Sequence, residues 1–575
     1  MTDTNFTPLF LNPEKKNKAL ILVPHQDDEI NIASQSILQL KKSDMEIFVV
    51  YATNGDHDFT LNVRLQEAKR ALHKLGIPKE NIILLGYGDS SFNDCKNIYK
   101  STSTITSASG HSRTYGTSEI SDYRFIINND HNSYEYKNFI SDIETVLTSI
   151  KPNIIFCIDF DEHPDHRILF LSFQRVLGCL LKREKYFKSI QIFFGFAYPF
   201  AYHSKEDLHE LNLQNIAYPK RDAHNYYTYE ILGKSIYEWN ERIRIPAGDT
   251  AQLPFASMFN QIGSALKCYT TQYGLKHSLS IINSENIYWE RRADNLLYDA
   301  LISATSGNVS FINDFLLFDV EDVKSVNPSF SNYYWIPDSN DKFSELTFSF
   351  KEPLSANQLL IYGRIDIKED SYELEISLDN KYTQRLTCAC IYGRPVKISL
   401  PDDLIFETCR IKILRYSRDT FGIAEMEMFT SKKNISYIRP FMKLEIDNSF
   451  SNYILLHPKA VNVKVNIYKY CCSQQVIIET SNPCCTYDSK EKKLSIPTTL
   501  KEVTVLVLDD QNKCLHKVNI HRLSFTEFMI YKFLQRFDAL RIKRSVLISR
   551  EQRLMQYIKA KGIKYIWLRI LHKIR

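Results

Sequence analysis

Two clusters of histidine and acidic residues each come just after a short apolar run of the sequence. The first cluster is His25–Glu29, after ALILVP, and the second is Asp161–His166, shortly after NIIFCI. Imidazole nitrogens and carboxylate oxygens are good zinc ligands, and a catalytic zinc site takes three of them plus a water molecule. His25 and Asp28 are three residues apart, so both can point at one ion from a turn that enters a helix. The second cluster can supply the third ligand.

Either cluster alone has a simpler explanation, because an Asp near the start of a helix is usually a cap or a solvated charge. The two clusters together are stronger evidence. In a parallel sheet the carboxyl ends of the strands border the crevice where ligands bind, so clusters that follow two strands converge there. The sequence therefore predicts a metal site between the two clusters.

Short apolar runs alternate with helical patterns over residues 19–200, which predicts a parallel α/β sheet with helices on both faces. Strands are predicted at residues 19–24, 46–53, 81–87, 153–158 and 189–196, and helices at residues 30–40 and 62–75. Residues 98–135 form a long polar segment, which either closes over a substrate or is a disordered insertion. Residues 230–290 are predicted to be helix plus loop.

The net charge of +5 conceals a difference between the tail and the rest of the chain. Residues 526–575 contain 13 Lys and Arg against 3 Asp and Glu, a net charge of +10, so the first 525 residues carry −5. Composition therefore argues against a nucleic-acid partner for the body of the protein. The tail is predicted to be a basic amphipathic helix, which either lies on an anionic membrane surface or packs as a helical hairpin on protein.

At 575 residues the chain exceeds a single hydrophobic core, so three or four domains are expected. No run of 18 apolar residues is present, and we expect no transmembrane helix. The first residues lack a basic stretch followed by an apolar one, which predicts no secretion signal. We therefore expect reduced thiols for the 12 cysteines and a cytoplasmic location, with peripheral contact at the inner membrane surface through the tail.

The clusters resemble the signatures of a known family. Pro24–Glu29 resembles the His-Pro-Asp-Asp-Glu signature of the PIG-L/LmbE-like zinc de-N-acetylases, and His163–His166 matches their second signature. Ala52–Asp56, Arg64–Ala68 and Gly86–Asp89 are also similar to family segments and occur in the family's order. The resemblance covers about residues 18–290. It implies a Rossmann-like fold and hydrolysis of an N-acetyl group, commonly on an N-acetylglucosamine-type sugar.

The resemblance also implies roles for single residues. The implied zinc ligands are His25, Asp28 and His166. Asp27 would be the general base that takes a proton from the zinc-bound water, which fits the need of a poor nucleophile for a nearby carboxylate. His163 would stabilise the oxyanion or act as an acid, and Asp165 would hold its imidazole.

Substrate contacts and departures from the family follow from the same comparison. Arg64 and Asp89 match positions that bind sugar hydroxyls in relatives, and His111 in the polar segment is a further candidate substrate contact. Gln26 replaces the family's Pro, which changes the stiffness of the turn but removes no ligand. Some relatives carry a Tyr where this chain has Asp161, so any function of that Tyr must come from elsewhere or be absent.

Beyond the first half, short alternating runs predict two β domains. The sandwich over residues 293–432 is similar to discoidin or galactose-binding jelly rolls through Phe343–Phe350, Ile361–Arg364 and Gly422–Glu427, and it either binds glycans or is a spacer. The four predicted domains are residues 1–292 (de-N-acetylase), 293–432 (jelly-roll sandwich), 433–522 (small immunoglobulin-like β domain) and 523–575 (helical tail).

The function implied is zinc-dependent removal of an N-acetyl group from an N-acetylglucosamine-type sugar in a glycan or lipid-linked glycan pathway. Two other functions stay open at this point. One is a zinc amidohydrolase that acts on a small non-sugar amide, and the other is a glycan-binding protein without turnover.

Overall fold

The computed structural model describes residues 17–89, 97–161, 163–197, 236–237, 243–245, 256–277, 286–325, 329–430, 441–447, 453–470, 476–509, 512 and 514–574. The first 16 residues of the predicted first domain and the predicted boundary near residue 432 lie outside the described residues. An α/β region, two regions of mainly antiparallel sheet and a C-terminal helix follow one another, which confirms the predicted fold class.

Five parallel strands form the main part of the first sheet. They are β1 (Lys18–Val23), β2 (Glu46–Thr53), β3 (Ile82–Tyr87), β4 (Ile154–Ile158) and β5 (Gln191–Gly195). Their spatial order is β3-β2-β1-β4-β5. The central strand β1 is buried along nearly its whole length, as expected for the apolar run ALILV, which follows Lys18 and is covered on both faces. All five strands agree with the predicted ones to within two residues.

The connections between these strands are helical. The helices are α1 (Asp28–Lys42), α2 (Leu61–Lys74), α3 (Tyr123–Asn128), α4 (Tyr136–Ile150) and α5 (Pro164–Arg183). The order of strands reverses between β1 and β4, because β2 and β3 lie on one side of β1 whereas β4 and β5 lie on the other. Open α/β sheets bind ligands in the crevice at such a reversal. The two predicted clusters follow β1 and β4, so the fold brings both to this crevice.

Two antiparallel strands complete the edge of the sheet, β6 (Ile243–Ile245) and β7 (Asn286–Arg292). The short helices between them are α6 (Ala256–Phe259), α7 (Gln261–Leu266) and α8 (Gly274–His277). The prediction of helix plus loop for residues 230–290 is wrong for both strands, and the sheet is mixed rather than all parallel. Distant contacts fix β7: the Tyr288 hydroxyl donates to the carbonyl oxygen of Ile32 at 2.6 Å, and Asn286 Oδ1 accepts from the backbone N–H of Gln35 at 2.7 Å.

A β-sandwich of a five-stranded and a three-stranded sheet follows. Its strands are β8 (Leu301–Ala304), β9 (Glu345–Ser355), β10 (Gln358–Tyr362), β11 (Asp370–Leu378), β12 (Tyr382–Cys390), β13 (Val396–Ser399), β14 (Ile405–Arg415) and β15 (Glu425–Phe429). Buried charges join it to the α/β region, since the Arg291 guanidinium donates to Glu427 at 2.8 Å and to the carbonyl oxygen of Phe315 at 2.6 Å. The sandwich is therefore packed against the first sheet and not only connected by the chain.

Two further four-stranded sheets lie between the sandwich and the tail. Their strands are β16 (Phe441–Ile446), β17 (Tyr453–Leu456), β18 (Asn462–Tyr470), β19 (Ile477–Thr480), β20 (Thr486–Asp488), β21 (Lys493–Ser495), β22 (Glu502–Leu508) and β23 (Cys514–Arg522). A single long helix, α9 (Phe525–Ile574), ends the described chain. In the part of the chain that the structure describes, no helix combines the length and the apolar character needed to cross a membrane.

Candidate metal centre and active site

The loop between β1 and α1 is tied to the end of β2. The carbonyl oxygen of Pro24 accepts hydrogen bonds from the backbone N–H of Thr53 at 3.0 Å and from its hydroxyl at 2.9 Å. The side-chain amide of Gln26 donates to the carbonyl oxygen of Thr53 at 3.0 Å. Gln26 thus fixes the turn with a hydrogen bond at the position where the family carries a rigid Pro.

Asp27 has a strained backbone. Its φ is 135°, a conformation that residues other than glycine rarely adopt, and such strain is typical of functional sites. The buried Glu29 accepts a hydrogen bond from the backbone N–H of Asp27 at 3.0 Å, and the Tyr269 hydroxyl donates to the other oxygen of Glu29. Glu29 and Tyr269 therefore hold Asp27 in this conformation, and neither was among the candidate site residues.

The strained backbone directs the Asp27 carboxylate into the crevice, where its side chain is 26% exposed. An Arg64 nitrogen lies 3.4 Å from Asp27 Oδ1 and donates to the carbonyl oxygen of Gln26 at 2.8 Å. The pKa of Asp27 is raised to about 7. Removal from water is the largest cause, and the neighbouring Asp28 carboxylate is the next. Arg64 lowers the pKa by less than Asp28 raises it. A carboxyl group with a pKa in this range is suited to exchange protons at neutral pH.

The three predicted metal ligands converge. Asp28 Oδ2 lies 3.1 Å from Nδ1 of His25 and 3.2 Å from Nε2 of His166, and all three residues are buried. Around a tetrahedral zinc with bonds of about 2.1 Å, neighbouring ligand atoms are about 3.4 Å apart. The donor types fit a zinc ion, and the two distances from Asp28 to the histidines are close to this spacing. Burial alone would raise the pKa of Asp28, but His166 and His25 hold it well below its usual range, so the carboxylate stays charged.

Further donors surround this trio. One ligand atom each of His25, His163 and His166 lies within 4.8 Å of the others, and the same holds for a second group formed by His25, Asp89, His163 and Asp165. Asp165 Oδ2 lies 3.0 Å from Nε2 of His25 but 3.9 Å from Nδ1 of His163. Asp165 thus lies closer to the first histidine than to the second, and its predicted role toward His163 stays a prediction.

His163 is placed by the start of α5. Pro164 occupies the first turn of the helix, where a missing N–H costs nothing, and Nδ1 of His163 accepts a hydrogen bond from the backbone N–H of Asp165 at 3.2 Å. A neutral imidazole with an accepting Nδ1 carries its proton on Nε2. Burial, together with the nearby His25 and His166, holds the pKa of His163 well below its ordinary value, which favours this neutral form.

Asp161 orients His166. Its Oδ2 lies 2.7 Å from Nδ1 of His166, and its Oδ1 accepts from the backbone N–H of His163 at 3.0 Å. A metal-binding histidine commonly donates its second ring N–H to a carboxylate in this way, which fixes the ring and leaves the other nitrogen for the metal. The sequence showed Asp161 only as a departure from the family. Its spacing of five residues before His166, across the turn that starts α5, is the signal that was missed.

We expect Asp161→Asn to weaken zinc binding by about 10–100-fold, because the amide cannot accept the His166 N–H with the strength of a carboxylate. Competition of the purified protein against a chromogenic chelator measures the dissociation constant. Asp159→Asn, a change at another buried Asp two residues away, is the control. Equal zinc affinity in Asp161→Asn and the wild type would contradict the orienting role.

The predicted substrate contacts border the same crevice. Asp89 Oδ1 is 3.8 Å from Nε2 of His25, and burial together with Asp165 raises the pKa of Asp89 to about 8. Asp56 connects this strand end to the polar segment, since it accepts from the backbone N–H of Asp89 at 3.0 Å and from the Tyr115 hydroxyl at 2.7 Å. The ring of the exposed His111 lies against that of Tyr115 at a tilt of 31°, with centroids 4.1 Å apart. His111 thus lies at the rim of the site, whereas Asp89 faces the histidines.

Comparison with known proteins identifies the class of the α/β region. Residues 20–175 match the family described as PIG-L: GlcNAc-PI de-N-acetylase. This part of the chain is therefore a PIG-L family domain, and the predicted resemblance is confirmed. No protein with a curated description matches the chain.

Similar solved structures include two deacetylases and several carbohydrate-binding modules. The N,N'-diacetylchitobiose deacetylase of Pyrococcus horikoshii is 17% identical with a TM-score of 0.20, over 30% of this chain and 53% of that one, so the chain spans about half of its length. A deacetylase of teicoplanin biosynthesis is 14% identical with a TM-score of 0.21, over 33% of this chain and 73% of that one. A family 32 carbohydrate-binding module of NanJ from Clostridium perfringens, solved with galactose, is 14% identical with a TM-score of 0.18, over 23% and 94%.

Proposed function

We propose that the protein is a zinc-dependent de-N-acetylase that hydrolyses the N-acetyl group of an N-acetylglucosamine-type sugar. The observation that carries the proposal is the buried Asp28 carboxylate within 3.1 Å of His25 and 3.2 Å of His166, next to an Asp27 held in a strained conformation. Membership of residues 20–175 in the PIG-L family supports the reaction class. The zinc ion is proposed from the chemistry of these side chains, and the N-acetylglucosamine-type sugar from the reaction of the matched family.

Amide hydrolysis needs a better nucleophile and a better electrophile than water and an amide provide. When bound, zinc would lower the pKa of water towards about 7 and polarise the carbonyl group of the acetamide. His25, Asp28 and His166 would hold the ion, and Asp161 fixes the His166 ring through Nδ1, so that Nε2 would be available to the metal. Because the trio is buried, its charges are weakly screened and act strongly on the reacting atoms.

Proton transfer is assigned to Asp27. Its carboxylate would accept a proton from the attacking water and then donate it to the leaving amine as the C–N bond breaks, which yields acetate and the free amino sugar. Asp28 is less suited to this step. Both neighbouring histidines stabilise its carboxylate in the charged form, and the carboxylate is assigned to the metal. Arg64 stabilises the ionised form of Asp27 and keeps the carboxylate in position.

The reaction also requires that the negative charge developing on the carbonyl oxygen be stabilised. The Nε2–H of neutral His163 can donate a hydrogen bond to the developing oxyanion, because Nδ1 already accepts from the backbone of Asp165. We propose that Arg64 and Asp89 contact sugar hydroxyls and that His111 contacts a more distant part of the substrate. A cytoplasmic location and a lipid-linked or polymeric form of the sugar also belong to this proposal.

The proposal predicts acetate release from at least one N-acetylhexosamine by the zinc-loaded protein. The panel contains free, nucleotide-linked, lipid-linked and polymeric N-acetylhexosamines together with an N-acetyl amino acid, and an enzymatic assay quantifies acetate. Apo protein treated with a chelator is the control. Release from the amino acid alone would favour an amidohydrolase for small amides. No release from any substrate by protein with one zinc per chain would favour a glycan-binding protein.

A further inference from the structure

The helix α9 exposes a long apolar stripe. Ten of its large apolar side chains are between 39% and 69% exposed: Phe525, Met529, Ile530, Phe533, Phe537, Leu540, Leu547, Ile548, Leu554 and Met555. At 3.6 residues per turn, these ten positions fall within an arc of about 140° of the helix circumference. Soluble proteins rarely leave so many large apolar side chains exposed on one face unless that face binds something.

The opposite face of α9 packs on the protein. Asp538 and Ser549 are buried, and Ile542 contacts the hydrophobic core of the α/β region. At the start of the helix the Phe528 ring meets His457 edge to face, with centroids 4.5 Å apart. The body thus holds one face of the helix, and the apolar stripe faces away from it.

Basic side chains lie at one edge of the stripe, at Lys532, Lys543 and Arg550, and also within its arc, at Arg536 and Arg544. All five are exposed. Residues 526–575 carry a net charge of +10, whereas the remainder of the chain carries −5. The positive charge is therefore concentrated on the same helix that exposes the apolar stripe.

We propose that α9 docks on an anionic lipid surface, with the stripe in the interface between headgroups and acyl chains. Phe, Leu and Met side chains on one face with Lys and Arg beside them are the pattern of helices that lie in this interface. Each basic residue near an anionic surface contributes additional attraction. A second copy of the chain fits less well, because it would bring two tails of charge +10 together. The docking does not depend on the proposed hydrolysis, so either can fail without the other.

Vesicle binding of the full-length protein tests the proposal. We expect it to float with vesicles of phosphatidylcholine mixed with phosphatidylglycerol, and to bind vesicles of phosphatidylcholine alone much more weakly. Phe533→Ser should weaken binding to the mixed vesicles by about tenfold, since it removes one large apolar group from the lipid interface. Lys543→Gln combined with Arg544→Gln should weaken that binding by about as much while leaving the weak binding to phosphatidylcholine unchanged.

Phe343→Ser is the matched control, because Phe343 is 63% exposed on the sandwich and Phe533 is 65% exposed on α9. It should bind vesicles like the wild type. Circular dichroism of Phe533→Ser and of the Lys543→Gln/Arg544→Gln double variant shows whether α9 stays folded. Absence of binding to the mixed vesicles would overturn the proposal, and so would equal binding to both lipid compositions. A dimer in light scattering that Phe533→Ser dissociates, without vesicle binding by the wild type, would assign the stripe to a second copy instead.

Discussion

Asp27→Asn is expected to lower the rate of acetate release by about 10²–10⁴-fold while zinc stays bound, because general-base catalysis contributes rate enhancements of this size. The amide of Asn cannot accept a proton from water, yet it occupies nearly the same volume as the carboxylate. The three predicted zinc ligands, His25, Asp28 and His166, are untouched by the change. Steady-state kinetics on the best substrate of the panel, together with the zinc content of the purified variant, measures both parts of the expectation.

Asp44→Asn is the matched control for this substitution. Asp44 is exposed and also has a positive φ, of 55°, so the control tests the same chemical change on a backbone that also favours few residues. It should leave both the kinetics and the zinc content unchanged. Full activity in Asp27→Asn would exclude Asp27 as the base, whereas loss of zinc from this variant would mean that Asp27 is a ligand.

The sequence was sufficient for the parallel strands and for the meeting of the two clusters. The run ALILV in β1 is apolar at every position, which is typical of a strand covered on both faces. Once β1 and β4 are strands of one parallel sheet, the positions of His25 and His166 follow from topology. Local pattern and fold agree here, which is why these predictions needed no distant contact.

The missed features depend on contacts between residues that are far apart in the sequence. Tyr269 donates a hydrogen bond to Glu29 from 240 positions away, and the sequence around Glu29 does not indicate this partner. The strand β7 is fixed by bonds from Asn286 and Tyr288 to α1, so its pairing is decided by tertiary structure rather than by its own pattern. Residue propensities do not predict the backbone conformation of Asp27 either. An Asp rarely has a φ of 135°, and here the surrounding residues impose it.

The polar segment lies between these two cases. Its composition left a substrate-closing loop and a disordered insertion open, and the structure describes residues 97–161 as an ordered part of the fold. Asp56 links this segment to the strand ends, because its two carboxylate oxygens accept hydrogen bonds from Asp89, Tyr115 and Ser109. Asp56 belongs to a segment that resembles the family. A contact between that segment and the polar segment could therefore have been predicted, but its partners Tyr115 and Ser109 could not.

His166→Asn is expected to abolish zinc binding and hydrolysis together, which separates it from Asp27→Asn. The Asn amide can still donate to Asp161 in place of the Nδ1–H, so the buried carboxylate keeps a partner. It offers no imidazole nitrogen to the ion, and two protein ligands remain where a catalytic zinc site needs three. Zinc affinity should therefore fall by more than the roughly 10–100-fold expected for losing only the partner of a ligand. Chelator competition and acetate release measure the two effects.

His166→Asn is chosen over Ala because an emptied position would leave Asp161 and Asp28 without the histidine that lies between them, and breaking a buried charged pair costs about 3–5 kcal/mol. His73→Asn is the control, since His73 is exposed on α2. Thermal unfolding should show a cooperative transition for both variants. A folded His166→Asn protein that binds zinc as tightly as the wild type would remove His166 from the ligand set. The remaining histidine of the second cluster, His163, would then be the candidate ligand, because its ring nitrogen also lies within 4.8 Å of the ligand atom of His25.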